Sequence, residues 1–170
     1  MSILLYLAAA VAVVSTVMVI TRLNAVHALL YLVVSLLAVA LVFFLLGAPF
    51  VAALEVIIYA GAIMVLFVFV VVMFNLGSTS VADERLIFQS TIWVLPGLLA
   101  LLLLVEFAYL ILVPPTANFG VAMIGPRQVG IQLFTRYGLA VELASFVLLS
   151  GLVGAYHIGR RYGAAGGGAK

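Results

Sequence analysis

Cysteine is absent from this chain of 170 residues. That excludes a disulfide framework, thiolate-held iron–sulfur clusters, cysteine-ligated zinc and thiol catalysis on the chain itself. Cysteine usage therefore says nothing about the redox compartment. Charge is nearly as scarce. Only 7% of the residues are Asp, Glu, Lys or Arg, against about a quarter in an average soluble domain. Seven Lys+Arg against five Asp+Glu give a net charge of +2. The pI of about 9.2 thus reflects few charges of either sign, not a basic binding surface. Hydrophobic residues make up 68%. A folded sphere of this size cannot hide so much apolar surface from water. A soluble globular protein, a disordered tail and a nucleic-acid binder are excluded, and lipid is the solvent for most of the chain. No basic n-region opens it and further apolar runs follow the first, which argues against a secretory signal peptide. HExxH, P-loop, EF-hand and strand-borne GxGxxG patterns are missing, so no catalytic residue, nucleotide site or metal site is expected. No internal repeat is found, which weakens an inverted-repeat transporter reading.

What remains is apolar runs. A membrane helix needs roughly 20 mostly apolar residues to cross about 30 Å of hydrocarbon. The first run, residues 2–21, is uncharged and closes at Arg22. The next is too long for one helix and breaks at Gly47-Ala48-Pro49, a turn signal. Span two is then 25–46 and span three 50–75, apolar but for Glu55. A polar stretch from Ser78 to Arg85 follows. Span four covers 90–113 and stops at Pro114-Pro115. Span five covers 137–158, and residues 159–170 form a basic, Gly/Ala-rich tail expected to be flexible. The expected fold is an all-α integral membrane protein of five transmembrane helices, forming a single membrane domain over 1–170. Between spans four and five, Val129, Ile131, Leu133 and Phe134 interleave with Gln128, Gln132 and Arg136. This piece either lies flat at the interface as an amphipathic segment or docks as an ordered loop on a neighbouring subunit.

An odd number of spans puts the termini on opposite sides. One side holds Arg22, Arg85, Arg160, Arg161 and Lys170, and the other Arg127 and Arg136. The positive-inside rule then places the N-terminus outside and the C-terminus in the cytoplasm. Tyr6, Trp93, Tyr109, Tyr137 and Tyr156 fall near span ends, as interfacial aromatics do.

Three carboxylates sit inside spans: Glu55, Glu106 and Glu142. A charge at mid-helix costs about 2.5–3.5 kcal/mol on insertion scales, so each should face protein or a water-filled cavity. A carboxyl poised between neutral and charged suits a proton relay. The topology puts all three in the outer half. On a regular helix Glu55 shares a face with Tyr59 at i,i+4, and Glu106 with Tyr109 at i,i+3. Gly138 and Ser145 lie on the face of Glu142. The bland reading is that each acid hydrogen-bonds a neighbouring helix and serves assembly alone. His27 and His157, single histidines near span ends, read as interfacial polar residues rather than ligands. Ala8, Ala12 and Thr16 on span one, and Gly151 and Ala155 on span five, are small-xxx-small packing faces.

Span three is unusual. Its 26 residues from Phe50 to Asn75 would make a straight helix of about 39 Å, longer than the hydrocarbon is thick. It must tilt, kink or carry an irregular turn. Gly61, between Ala60 and Ala62, is a weak point that could host a π-bulge. The plainer role for that glycine is close packing against a partner helix. The dense run Val65–Val72 could plug a pore by excluding water.

The segment Ala53 to Gly77, ALEVIIYAGAIMVLFVFVVVMFNLG, resembles the signature of the subunit J family of bacterial NADH-quinone oxidoreductase. That is the counterpart of chain 6 of the mitochondrial enzyme, respiratory complex I. The likeness extends through Asn24-Ala-Val-His-Ala-Leu-Leu-Tyr-Leu32, Gly130-Ile-Gln-Leu-Phe134 and Leu139-Ala-Val-Glu-Leu-Ala-Ser145. Span four and the loop after it match poorly, so Glu106 gains nothing from it. The resemblance implies a core membrane subunit of a proton-pumping NADH:quinone oxidoreductase in the bacterial inner membrane. It implies no redox centre on this chain, although the holoenzyme carries FMN, iron–sulfur clusters and quinone. It implies as partners the quinone-site subunit, a small three-helix subunit and the antiporter-like subunits. It implies a third helix whose π-bulge relaxes to α, opening or shutting a water path between the quinone region and the central polar axis. The positions carried over are Tyr59, Gly61, Val65 and Phe67 for the gate, with Glu55 and Glu142 for the proton path. Two other classes compete: a small channel or cation/proton antiporter subunit using the same acids, and a purely structural scaffold.

Overall fold

The computed structural model describes residues 2–75, 90–112 and 123–166, with side chains for all of these except 74–75, 90–92 and 161–166. The expected polar stretch 78–85, the Pro114-Pro115 stop and the last four residues lie outside the described residues. The described residues are all helical where they are regular, and five helices are long and apolar enough to cross a membrane. Span one is Ser2–Thr21 and span two Ala25–Leu45. Span three is one joined helix, made of Pro49–Leu54, a π-wound stretch Glu55–Ile63, and Met64–Asn75. Span four is Ser90–Leu112, with Pro96 inside it. Pro96 has no N–H to give, so one helical bond is missing in the second turn. A short helix, Pro126–Thr135, precedes the last, Gly138–Gly166. Span five therefore carries its helix well into the stretch that composition marked as tail.

The chain divides into two compact units, 1–125 and 126–170. In the second, the short helix takes up the segment that alternation of apolar and polar residues marked as amphipathic; Val129 and Gly130 are half-buried in it, while Ile131, Leu133 and Phe134 are exposed.

The first unit is built on the pair of spans one and two. Lipid tails are as apolar as leucine, so helices in a bilayer associate through close packing and interhelical hydrogen bonds. Small residues supply the packing here. Ala8 and Val11 meet Val34, Ala38, Leu41 and Leu45, and Leu103 of span four joins the same core. Thr16 closes the seam with a 2.8 Å bond to the Ser35 hydroxyl, and Ser35 donates to the Ala12 carbonyl at 3.2 Å. Bonds of this kind contribute about 0.6 kcal/mol on average within a membrane. The small-residue face expected on span one is thus a packing surface inside the chain. The matching face on span five is exposed, with open space around Gly151.

The connections are short and capped. Asn24 accepts from the backbone N–H of Val26 at 2.9 Å and of His27 at 3.4 Å. Such a cap contributes about 1 kcal/mol. Arg22 lies over the Tyr31 ring, 5.5 Å from its centre, and covers the same end of the pair. At the other end, span two stops in a Schellman turn: Gly47 N–H donates to the Phe44 carbonyl and Ala48 N–H to that of Phe43. Gly47 has φ 83°, the one positive value among the described residues. Pro49 then starts span three at its first position, where its missing N–H costs nothing. Ile124 N–H donates to the Gly47 carbonyl at 2.9 Å and ties the end of the unit to this turn.

Gly47→Ala should destabilise the turn by about 1–2 kcal/mol, because an L side chain resists the left-handed region. Gly47→Asn should cost less, since asparagine visits that region more readily. Thermal midpoints of the detergent-solubilised protein should fall in the order Gly, Asn, Ala.

Candidate proton-path site

The π stretch decides the local geometry. Glu55 is its first residue and Ile63 its last. The joints are smooth, with Leu54, Glu55 and Met64 all in the right-handed helical region. Met64 N–H donates back to the carbonyl of Tyr59, five residues earlier, and shares itself with that of Gly61. The i→i+5 bond holds one more residue in the turn than an α-helix does. Gly61 shows why this sequence tolerates the winding. A Cβ placed on it would lie 3.1 Å from the backbone oxygen of Val56, also five residues earlier. That contact is tighter than side chains normally accept, and a backbone carbonyl cannot swing aside as a side-chain tip can. The expected irregular turn is present, and it begins at Glu55, one and a half turns before the glycine that pointed to it.

This winding corrects the face assigned to Glu55. An i,i+4 neighbour is a property of the α-helix. In a wider turn the position above Glu55 falls between Tyr59 and Ala60. Glu55 is half-buried and Tyr59 exposed within this chain. Val65 and Phe67 follow on the α-wound part, both exposed, while Met64 between the two windings is only 2% exposed. One helix thus strings together Glu55, Tyr59, Gly61, Val65 and Phe67. Glu142 belongs to the second unit, where it is exposed. Ser145, expected on its face, donates its hydroxyl to the Glu142 backbone carbonyl at 2.7 Å.

Glu106 is the surprise. Its claim was the weakest of the three acids, yet it is the most buried, at 3% exposure. Tyr109, expected to share its face, is exposed. Glu106 lies instead on the side of span four that carries Leu99, Leu102, Leu103 and Leu110, the residues packed on the core of spans one and two. His27 is also buried, edge-on to Trp93 with ring centres 6.3 Å apart.

A cavity of about 720 Å³ runs between spans two, three and four. Its lining is wholly apolar: Val34, Leu41, Phe44, Ala52, Ile57 and Phe107 are typical. It offers water nothing to bond. A water path beside span three would run on another face.

Comparison with known proteins agrees with the signature on span three. Residues 15–158 match the family described as NADH-ubiquinone/plastoquinone oxidoreductase chain 6. The chain is 55% identical to NADH-quinone oxidoreductase subunit J of Pseudomonas aeruginosa over 157 residues, covering 92% of this chain and 95% of that one. It is 51% identical to the protein of the same name from Escherichia coli, over 91% of this chain and 84% of the other. The protein of that name from Buchnera aphidicola is 44% identical, over 94% and 98% of the two chains.

Proposed function

The chain belongs to the NADH-ubiquinone/plastoquinone oxidoreductase chain 6 family, and from that premise we propose that its third span gates a water path in the membrane arm of a proton-pumping NADH:quinone oxidoreductase. The chain is a multi-pass membrane subunit of that complex, and other complex I subunits are its partners. The flavin, iron–sulfur clusters and quinone reside on neighbouring subunits, and this chain contributes no redox centre. Its neighbours are the quinone-site subunit, the small three-helix subunit and the antiporter-like subunits. The complex lies in a bacterial inner membrane, with the N-terminus of this chain periplasmic and its C-terminus cytoplasmic.

The observation that supports a gate is the nine-residue π stretch Glu55–Ile63 on the matching segment. Relaxing it to α-winding removes one residue from the turn. An α-helix advances about 100° per residue, so everything from Met64 onward would rotate by about that angle. Val65 and Phe67 would leave the face they now occupy and other side chains would replace them. Bulky apolar groups turned toward the path exclude water, and turned away they admit it to the carboxyl of Glu55. Glu142 extends the same path. Redox events in the neighbouring subunits bias one winding against the other.

The lack of cysteine supplies the test. A Phe67→Cys variant carries a single thiol on this chain, and a thiol reacts with a water-soluble maleimide only where water reaches it and a thiolate forms. Labelling of this subunit in the intact complex should differ several-fold between resting enzyme and enzyme turning over NADH. Equal rates in the two conditions would sink the gate.

A further inference from the structure

A second buried polar site lies away from span three, in the core of spans one, two and four. Ser15 is 0% exposed, Ser35 5% and Glu106 3%. Ser35 is satisfied by Thr16 and the Ala12 carbonyl. The Ser15 hydroxyl and both carboxyl oxygens of Glu106 have no hydrogen-bond partner among the described residues. A buried polar group left without a partner is destabilising, and more so if it is charged. Three such atoms in one packed core call for a ligand.

Two contacts set the relative depth of these groups. The Thr16–Ser35 bond levels span one with span two, and the His27–Trp93 contact levels span four with span two. Ser35 lies eight residues beyond His27, so its level on span four falls near Leu101. The Glu106 backbone is five residues farther, about 7 Å. Helical side chains lean back toward the helix N-terminus. That lean returns the Glu106 carboxyl toward the level of Ser35, where Ser15 also sits on the buried face of span one with Ala8 and Val11.

Among the described residues no cation faces this pair. On the packed elements the other titratable or charged groups are Tyr6 and Arg22 of span one and its end, His27 and Tyr31 of span two, and Tyr109 of span four. Arg22, Tyr31 and His27 gather at the far end of the bundle, and Tyr6 and Tyr109 are exposed.

We propose that Glu106 and Ser15 form a hydrated proton-binding site in the three-span core. The carboxyl holds one proton, and internal water bridges it to the Ser15 hydroxyl. Taking up a proton converts carboxylate to carboxylic acid. Release passes the proton through the bridging water to the next internal water, and leaves a carboxylate that accepts from the bridging water, which in turn accepts from the Ser15 hydroxyl. This site does not depend on the rewinding of span three, and a permanently regular span three would leave it standing.

Infrared spectroscopy of the intact complex tests it, because a protonated carboxyl has a C=O stretch separate from carboxylate bands. The wild-type minus Glu106→Gln difference at pH 7 should show the loss of one protonated-carboxyl band. That band should move in D2O, because the site is wet. Ser15→Ala removes only a hydroxyl and should shift the same band in assembled enzyme, which keeps the test available if Glu106→Gln fails to assemble. The proposal is overturned if Glu106→Gln removes no such band. It is equally overturned if the band ignores D2O, or if Ser15→Ala leaves the carboxyl region unchanged.

Discussion

Replacing Gly61 by leucine should leave the complex assembled and lower coupled NADH:quinone turnover by roughly 5–30-fold. The size follows from the contact at Gly61. A Cβ there meets the Val56 backbone oxygen at 3.1 Å, and crowding of this kind costs about 1–3 kcal/mol. One or two kcal/mol changes a two-state ratio by a factor of about 5–30. The strain arises in the π winding, through the carbonyl five residues back, so the substitution favours the α winding. Gly61→Ala should show the same trend with a smaller loss, since it adds the Cβ without the leucine bulk. Native gels report assembly, and acidification of inverted membrane vesicles reports pumping. A Gly61→Leu complex that assembles and pumps at the normal rate would remove the gate from span three.

Glu55→Gln should be the second large effect. Glutamine keeps the size and polarity of the side chain but cannot release a proton. If Glu55 passes protons, vesicle acidification per NADH oxidised should fall several-fold with assembly intact, and Glu55→Asp should retain part of it. A scaffold would tolerate the glutamine with no loss of activity, so unchanged acidification would assign Glu55 to structure. Its position as the first residue of the π stretch makes the two predictions distinguishable. Gly61→Leu acts on the winding and Glu55→Gln on the proton.

These residues differ in how much of them could be read from the sequence. The hairpin between spans two and three was legible because Gly47, Ala48 and Pro49 have strong backbone preferences, and the Schellman turn with Gly47 at φ 83° follows from them. Span limits were legible within a residue or two for spans one and two and for the start of span three, because hydrocarbon thickness fixes length. The extension of span five to Gly166 was not. Alanine favours helix in a stretch whose glycines argued for a tail. The irregular turn in span three was anticipated from length and from Gly61, but its start at Glu55 was not. That start depends on backbone bonding over nine residues, and no single side chain marks it. The facing of Glu106 was least legible. A span that is apolar on all sides has no stripe to say which side packs within its own chain. Only the packing of Leu99, Leu103 and Leu110 on spans one and two shows that this acid points inward.

The lock at Gly47 has a mechanical consequence. The first turn of span three is fastened to span two by a capped three-residue link, and Ile124 N–H donates to the Gly47 carbonyl within that link. A rod clamped at one end and wound loosely in the middle can deliver torque only at the other. Any change of pitch between Glu55 and Ile63 is therefore expressed as a crank-like swing of Met64–Asn75, while the Pro49 end stays still.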